Sequence, residues 1–72
     1  MEAYETDILS TKERDQMLKW FEEEIGTDYE CNEDPSGEIE KYYIVFFDLE
    51  RDEVNKIRSW EIALDMKRKE AE

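Results

Sequence analysis

Residues 3 to 9, AYETDIL, alternate loosely between apolar and polar, the period-two pattern of a strand with Tyr4, Thr6 and Ile8 on one face. The period then lengthens. Ser10 followed three residues later by Glu13 forms a capping box, and Met17, Leu18, Phe21 and Ile25 recur at helical spacing before Gly26, which predicts a helix over roughly Thr11 to Ile25. Trp20 borders this stripe and reads as a core aromatic rather than a ligand contact. From Thr27 the alternation returns, with Tyr29 and Cys31 on one side and Asp28, Glu30 and Asn32 on the other. Asp34-Pro35-Ser36-Gly37 carries turn chemistry, and the following EIEKYYIVFFDL is rich in aromatic and β-branched residues. Residues 27–48 therefore predict a hairpin with its tip near Pro35-Ser36-Gly37, whose second strand is apolar on both faces between Tyr42 and Phe47. Asp48 is placed to cap a final helix that begins with Glu50, Asp52 and Glu53 and ends with Lys67, Arg68 and Lys69, each set at the end of the helix dipole that favours it. Val54, Ile57, Trp60 and Leu64 share one face of that helix with Glu61 just inside it, while Ile62 and Met66 form a second, weaker stripe.

The order strand, helix, strand, strand, helix predicts a single α+β domain, a small three-stranded sheet with two helices on one face, similar to a ferredoxin-like fold that lacks its last strand. Two helices on one face leave the other bare. A homodimer is expected to cover it, with Tyr42, Ile44, Phe46, Ile62 and Met66 as candidate contacts.

Composition narrows the function classes. A 72-residue domain buries only about 60% of its unfolded surface, so its core is small. With 39% hydrophobic residues and nine aromatics the chain is too apolar for a disordered acidic tail. The absence of histidine excludes Ser-His-Asp and Cys-His catalysis within this chain, and with one cysteine, Cys31, neither a zinc site nor an internal disulfide can be assembled. The sequence shows no long apolar run, so neither a membrane span nor a signal peptide is expected, and the expected location is the cytoplasm. Exposed carboxylates without a pocket make poor general acids, so no enzymatic activity and no cofactor are expected.

The net charge of −12 is unevenly spread. Residues 1–21 hold five acids and three bases, residues 22–53 hold thirteen acids and two bases, and residues 54–72 hold four acids and five bases, for nets of −2, −11 and +1. A merely solubilising surface would intersperse its charges. Within the middle segment the run Asn32, Asp34, Ser36, Gly37 begins like a calcium loop, but its twelfth position is Tyr43 rather than a bidentate Glu, and Pro35 stiffens it. Glu22, Glu23 and Glu24 close the first helix, where its dipole disfavours negative charge by about 0.3–1 kcal/mol each. Asp28 with Glu30, and Glu38 with Glu40, are expected to project in pairs from strand faces about 6.6 Å apart, close to the spacing of phosphates along a nucleic acid.

In size, net charge, charge clustering and expected compact α+β plan the chain resembles the small acidic DNA-mimic proteins that phages and mobile elements direct against host proteins. These share no motif, so the resemblance carries no residue roles. It implies a competitive inhibitor without cofactor that binds the basic DNA-binding surface of a host protein in a bacterial cytoplasm, for which a histone-like nucleoid-associated protein is the favoured target. Direct nucleic-acid binding is opposed by the charge. Glu22, Glu23, Glu24, Asp28, Glu30, Glu33, Asp34, Glu38 and Glu40 are the candidate phosphate-mimicking residues. The alternative is a small interaction module or antitoxin-like regulator that holds its partner through apolar surface at Tyr42, Tyr43, Ile62 and Met66.

Overall fold

The computed structural model describes residues 1–71, with side chains through Glu70. The chain runs β1 (Glu2–Glu5), α1 (Thr11–Glu24), β2 (Tyr29–Glu33), β3 (Tyr42–Leu49) and α2 (Arg51–Ala71). The strands form one antiparallel sheet in the order β1-β3-β2, so the last strand inserts between the first two. This is the α+β arrangement expected, a ferredoxin-like sheet without its fourth strand.

Both helices cover one sheet face. Leu9, Met17, Phe21, Ile44, Phe46, Leu49, Val54 and Ile57 make the core, with Trp20, Trp60 and Leu64 packed around it. The rings of Phe21 and Phe46 lie 4.2 Å apart at the centre, and Trp20 stacks on Trp60 where the helices meet. At the other end of the helix pair Arg68 of α2 reaches Glu13 of α1 at 2.7 Å, so the two helices run antiparallel. The Ser10 hydroxyl accepts from the Glu13 amide while the Glu13 carboxylate accepts from the Ser10 amide, the reciprocal cap expected from their spacing. Gly26 at φ 78° donates to the Phe21 carbonyl and stops α1; this left-handed conformation is one that a Cβ disfavours.

Four local expectations are corrected. β1 ends at Glu5, and Leu9 rather than Ile8 turns inward: Thr6 holds the ladder to Ile44 through both its amide and its hydroxyl, after which the chain leaves the sheet and returns only at the Leu9–Tyr42 bridge. Asp48 does not cap α2. It sits at φ 57° inside β3, in a bulge where three residues of β3 span two of β1, and this extra residue brings Leu49 into the core. The start of α2 is closed instead by Glu53, whose carboxylate accepts from the Glu50 amide. Glu38 and Glu40 lie in the loop before Tyr42 and do not form a pair on one strand face. Finally, Ile44 and Phe46 are fully buried under the helices and Tyr42 lies beneath the Arg14 guanidinium, so these three do not line the bare face. That face is carried by Tyr43, Val45 and Phe47, the alternate residues of β3.

Candidate functional site

The acids are best followed along β2, an edge strand. Its register with β3 pairs Tyr29 with Phe46, Glu30 with Val45 and Asn32 with Tyr43. Tyr29 therefore leans under α1, edge-on to Phe21, while Glu30 points to the bare face. Asp28 precedes the strand, but its carbonyl accepts from the Phe47 amide at 2.9 Å, so Asp28 and Glu30 do share a face as their spacing implies. Glu33 lies opposite Tyr42, on the helix side of the sheet. Glu22, Glu23 and Glu24 end α1 just before Asp28; Asp34, Glu38 and Glu40 follow Glu33 in the loop. From Asp28 to Glu33 the edge extends about 17 Å, the rise of roughly five nucleotides of one duplex strand.

The loop is folded by its own side chains. Asp34 donates its amide to the Lys41 carbonyl and accepts from Ser36 and Gly37, while Gly37 and Glu40 take positive φ. Asp34 is thus half-buried and partly committed to the turn, whereas the other eight candidates are exposed.

The ion pairs sharpen the contrast between these acids and the rest. Among the described residues, pairs form at Arg14–Asp15, Arg51–Glu2, Arg68–Glu13 and Lys69–Asp65. None of the nine candidates takes part. α1 also has no basic residue in its last turn to offset Glu22–Glu24. An acid recruited for stability looks like Glu13, whose carboxyl is held down to about 2 by hydrogen bonds from Arg68 against the opposing effect of burial.

The register also brings together residues that the linear sequence kept apart. Glu5 of β1 and Glu30 of β2 both lie opposite Val45, one on either side, so two carboxylates about 10 Å apart flank the central strand. Asp7, where the chain has left the sheet, lines a hollow of about 340 Å³ with Glu5, Ile8, Pro35 and Tyr43. Glu5 does not stand out in the sequence, because only the pairing of β1 with β3 places it across Val45 from Glu30. An open groove of about 580 Å³ between the helices, lined by Trp20, Glu24, Asp52, Lys56 and Trp60, is a shallow cleft with both signs of charge.

Burial pushes the Cys31 thiol up, away from the thiolate that a nucleophile requires. Among the described residues no group of three His, Cys, Asp or Glu is placed to hold a metal ion, and no helix is long and apolar enough to cross a membrane. The four residues of the apolar-contact alternative do not form one patch: Tyr42 is under Arg14, Tyr43 faces away from the helices, and Ile62 and Met66 lie on α2. Comparison with known protein families, with curated proteins and with solved structures finds no match.

Proposed function

We propose that the protein is a DNA mimic, which occupies the basic DNA-binding surface of another protein and excludes DNA from it by competition, without catalysis or cofactor. The observation that carries this reading is that the nine acids, eight of them exposed, take no part in any ion pair among the described residues, with Asp28, Glu30, Glu33 and Asp34 on or beside the edge strand β2. Leaving them unpaired costs stability through self-repulsion and the α1 dipole, and that cost is offset when a basic groove neutralises them and releases the counterions that DNA would release. A small histone-like nucleoid-associated protein, present where a phage or mobile element would act, is the favoured target class.

The acids stay outward in the assembly we envisage. With Ile44 and Phe46 inside and Tyr42 covered, Ile62 and Met66, at 55% and 59% exposure, are the remaining contacts for a second copy. Arg58, Ile62, Met66 and Glu70 follow one another at four-residue intervals, so an antiparallel α2 pair sets Ile62 against Met66 and Arg58 against Glu70 of the other copy. The pairing uses the part of the chain whose net charge, +1 over residues 54–72, is smallest in magnitude.

The deciding experiment is competition. A labelled duplex bound to a histone-like protein should be displaced by this protein, with an apparent affinity that falls steeply between 50 and 200 mM salt. Affinity indifferent to salt, or simultaneous binding of DNA and this protein to the same target, would refute the mimic.

A further inference from the structure

The bare sheet face combines an apolar rail with acids on both sides. Tyr43, Val45 and Phe47 stand in line along β3, with Phe47 37% exposed and Tyr43 and Val45 half-buried. Asp28 and Glu30 border the rail on one side and Glu5 and Asp7 on the other, and Val45 lies directly between Glu5 and Glu30. Asp28, Glu30 and Glu5 have no base beside them in the sheet, and Asp7 also borders a hollow shared with Arg58 and Lys69 of α2. A second copy laid face to face would bring like-charged rims together, which argues that the face is not a self-association surface. A lysine ammonium can also sit over a ring, but as a compact, strongly hydrated point charge it cannot stack flat and donate in its plane to carboxylates at the same time. A guanidinium fits both parts, because it stacks on an aromatic ring while donating in its plane to carboxylates at either side. The fold already contains this contact once, on the opposite face, where Arg14 lies 4.3 Å over the Tyr42 ring and bonds Asp15.

We infer that the bare face is an arginine-reading surface, on which side chains from an arginine-bearing protein partner stack on Tyr43 and Phe47 and pair with Glu5, Asp28 and Glu30. The inference rests on the mimic reading and deepens it. The β2 edge acids supply charge without regard to the kind of base, and the sheet face selects arginine over lysine.

Octa-arginine and octa-lysine peptides of equal charge, titrated against the ¹⁵N-labelled protein in moderate salt, provide the test. Octa-arginine should bind about ten-fold more tightly, with the largest amide shifts at Tyr43, Val45 and Phe47. The Tyr43→Ser and Phe47→Ser variants, whose side chains lie outside the core, should keep a dispersed spectrum, bind octa-lysine unchanged and lose the preference for octa-arginine. Equal affinities, with shifts confined to residues 22–24 and 33–40, would overturn the inference and leave the mimic reading standing. Binding of neither peptide at low salt would overturn both. Concentration-dependent shifts on this face without peptide would assign it to a second copy and overturn the inference alone.

Discussion

Glu22 and Glu23 provide the clearest separation of stability from function. Both are exposed in the last turn of α1, beside carbonyls that have no further helical partner, and neither takes part in an ion pair among the described residues. The double variant Glu22→Gln/Glu23→Gln keeps side-chain length and polarity while removing two charges from the negative end of the helix. Glu24 is left in place because it lines the interhelical groove with Lys56. At about 0.3–1 kcal/mol for each unfavourable charge at a helix end, the pair should gain about 1 kcal/mol at low ionic strength. For a domain of this size that corresponds to a rise in Tm of about 4–8 °C. Thermal unfolding followed by circular dichroism at 10 mM salt measures it directly. Repetition at 1 M salt, where the Debye length falls to about 3 Å, should erase most of the gain. The same variant should bind a basic target less tightly. A Tm that is unchanged or lowered at low salt would show that Glu22 and Glu23 are not opposed by the helix, and the argument that they serve a partner would fail.

Acid should weaken the fold in part through Glu13. Its folded-state value of about 2 lies below the ordinary 4.5, so its contribution is complete at neutral pH and is lost as pH falls from about 4.5 towards 2. Because Arg68 is 37% exposed, the full shift must be discounted to about 1–2 kcal/mol, and urea unfolding across that window should show a shallower acid limb in Glu13→Gln. Phe46→Ala removes the ring that packs 4.2 Å from Phe21 and should cost about 3–5 kcal/mol, enough to abolish cooperative unfolding in a domain this small. Gly26→Ala meets no steric contact closer than 3.6 Å but must hold φ 78°, and a loss of about 1 kcal/mol by urea unfolding is expected.

The elements that followed periodicity were legible in the sequence. The Ser10–Glu13 cap, the Met17–Phe21 stripe and the Val54–Ile57–Trp60 face each depend on spacing within one helix, and the structure reproduces them. What could not be read depended on pairing between segments. Asp48 has the chemistry of a cap, but the inward turn of Leu49 makes it a bulge, and the helix begins after it. Val45 and Phe47 look identical in kind to Ile44 and Phe46; only the position of the helices decides which pair is buried. Glu5 joins the acids of β2 only through its pairing with Val45. The acid load itself was evident from counting, since local charge density requires no tertiary information.

The placement of the helices over the sheet has a consequence for motion in solution. α2 packs over β1, on the side away from β2, and its six bases nearly balance its five acids, while the opposite border carries Asp28, Glu30 and Glu33 with no base on β2. The molecule therefore has an electric moment running across its strands, with the negative end at β2. In the field of a basic surface this moment exerts a torque before any contact forms, turning the β2 border forward and α2 to the rear. Encounters are thus oriented during approach, so that fewer collisions are wasted and the association rate, more than the dissociation rate, should respond to charge exchanged between the two borders.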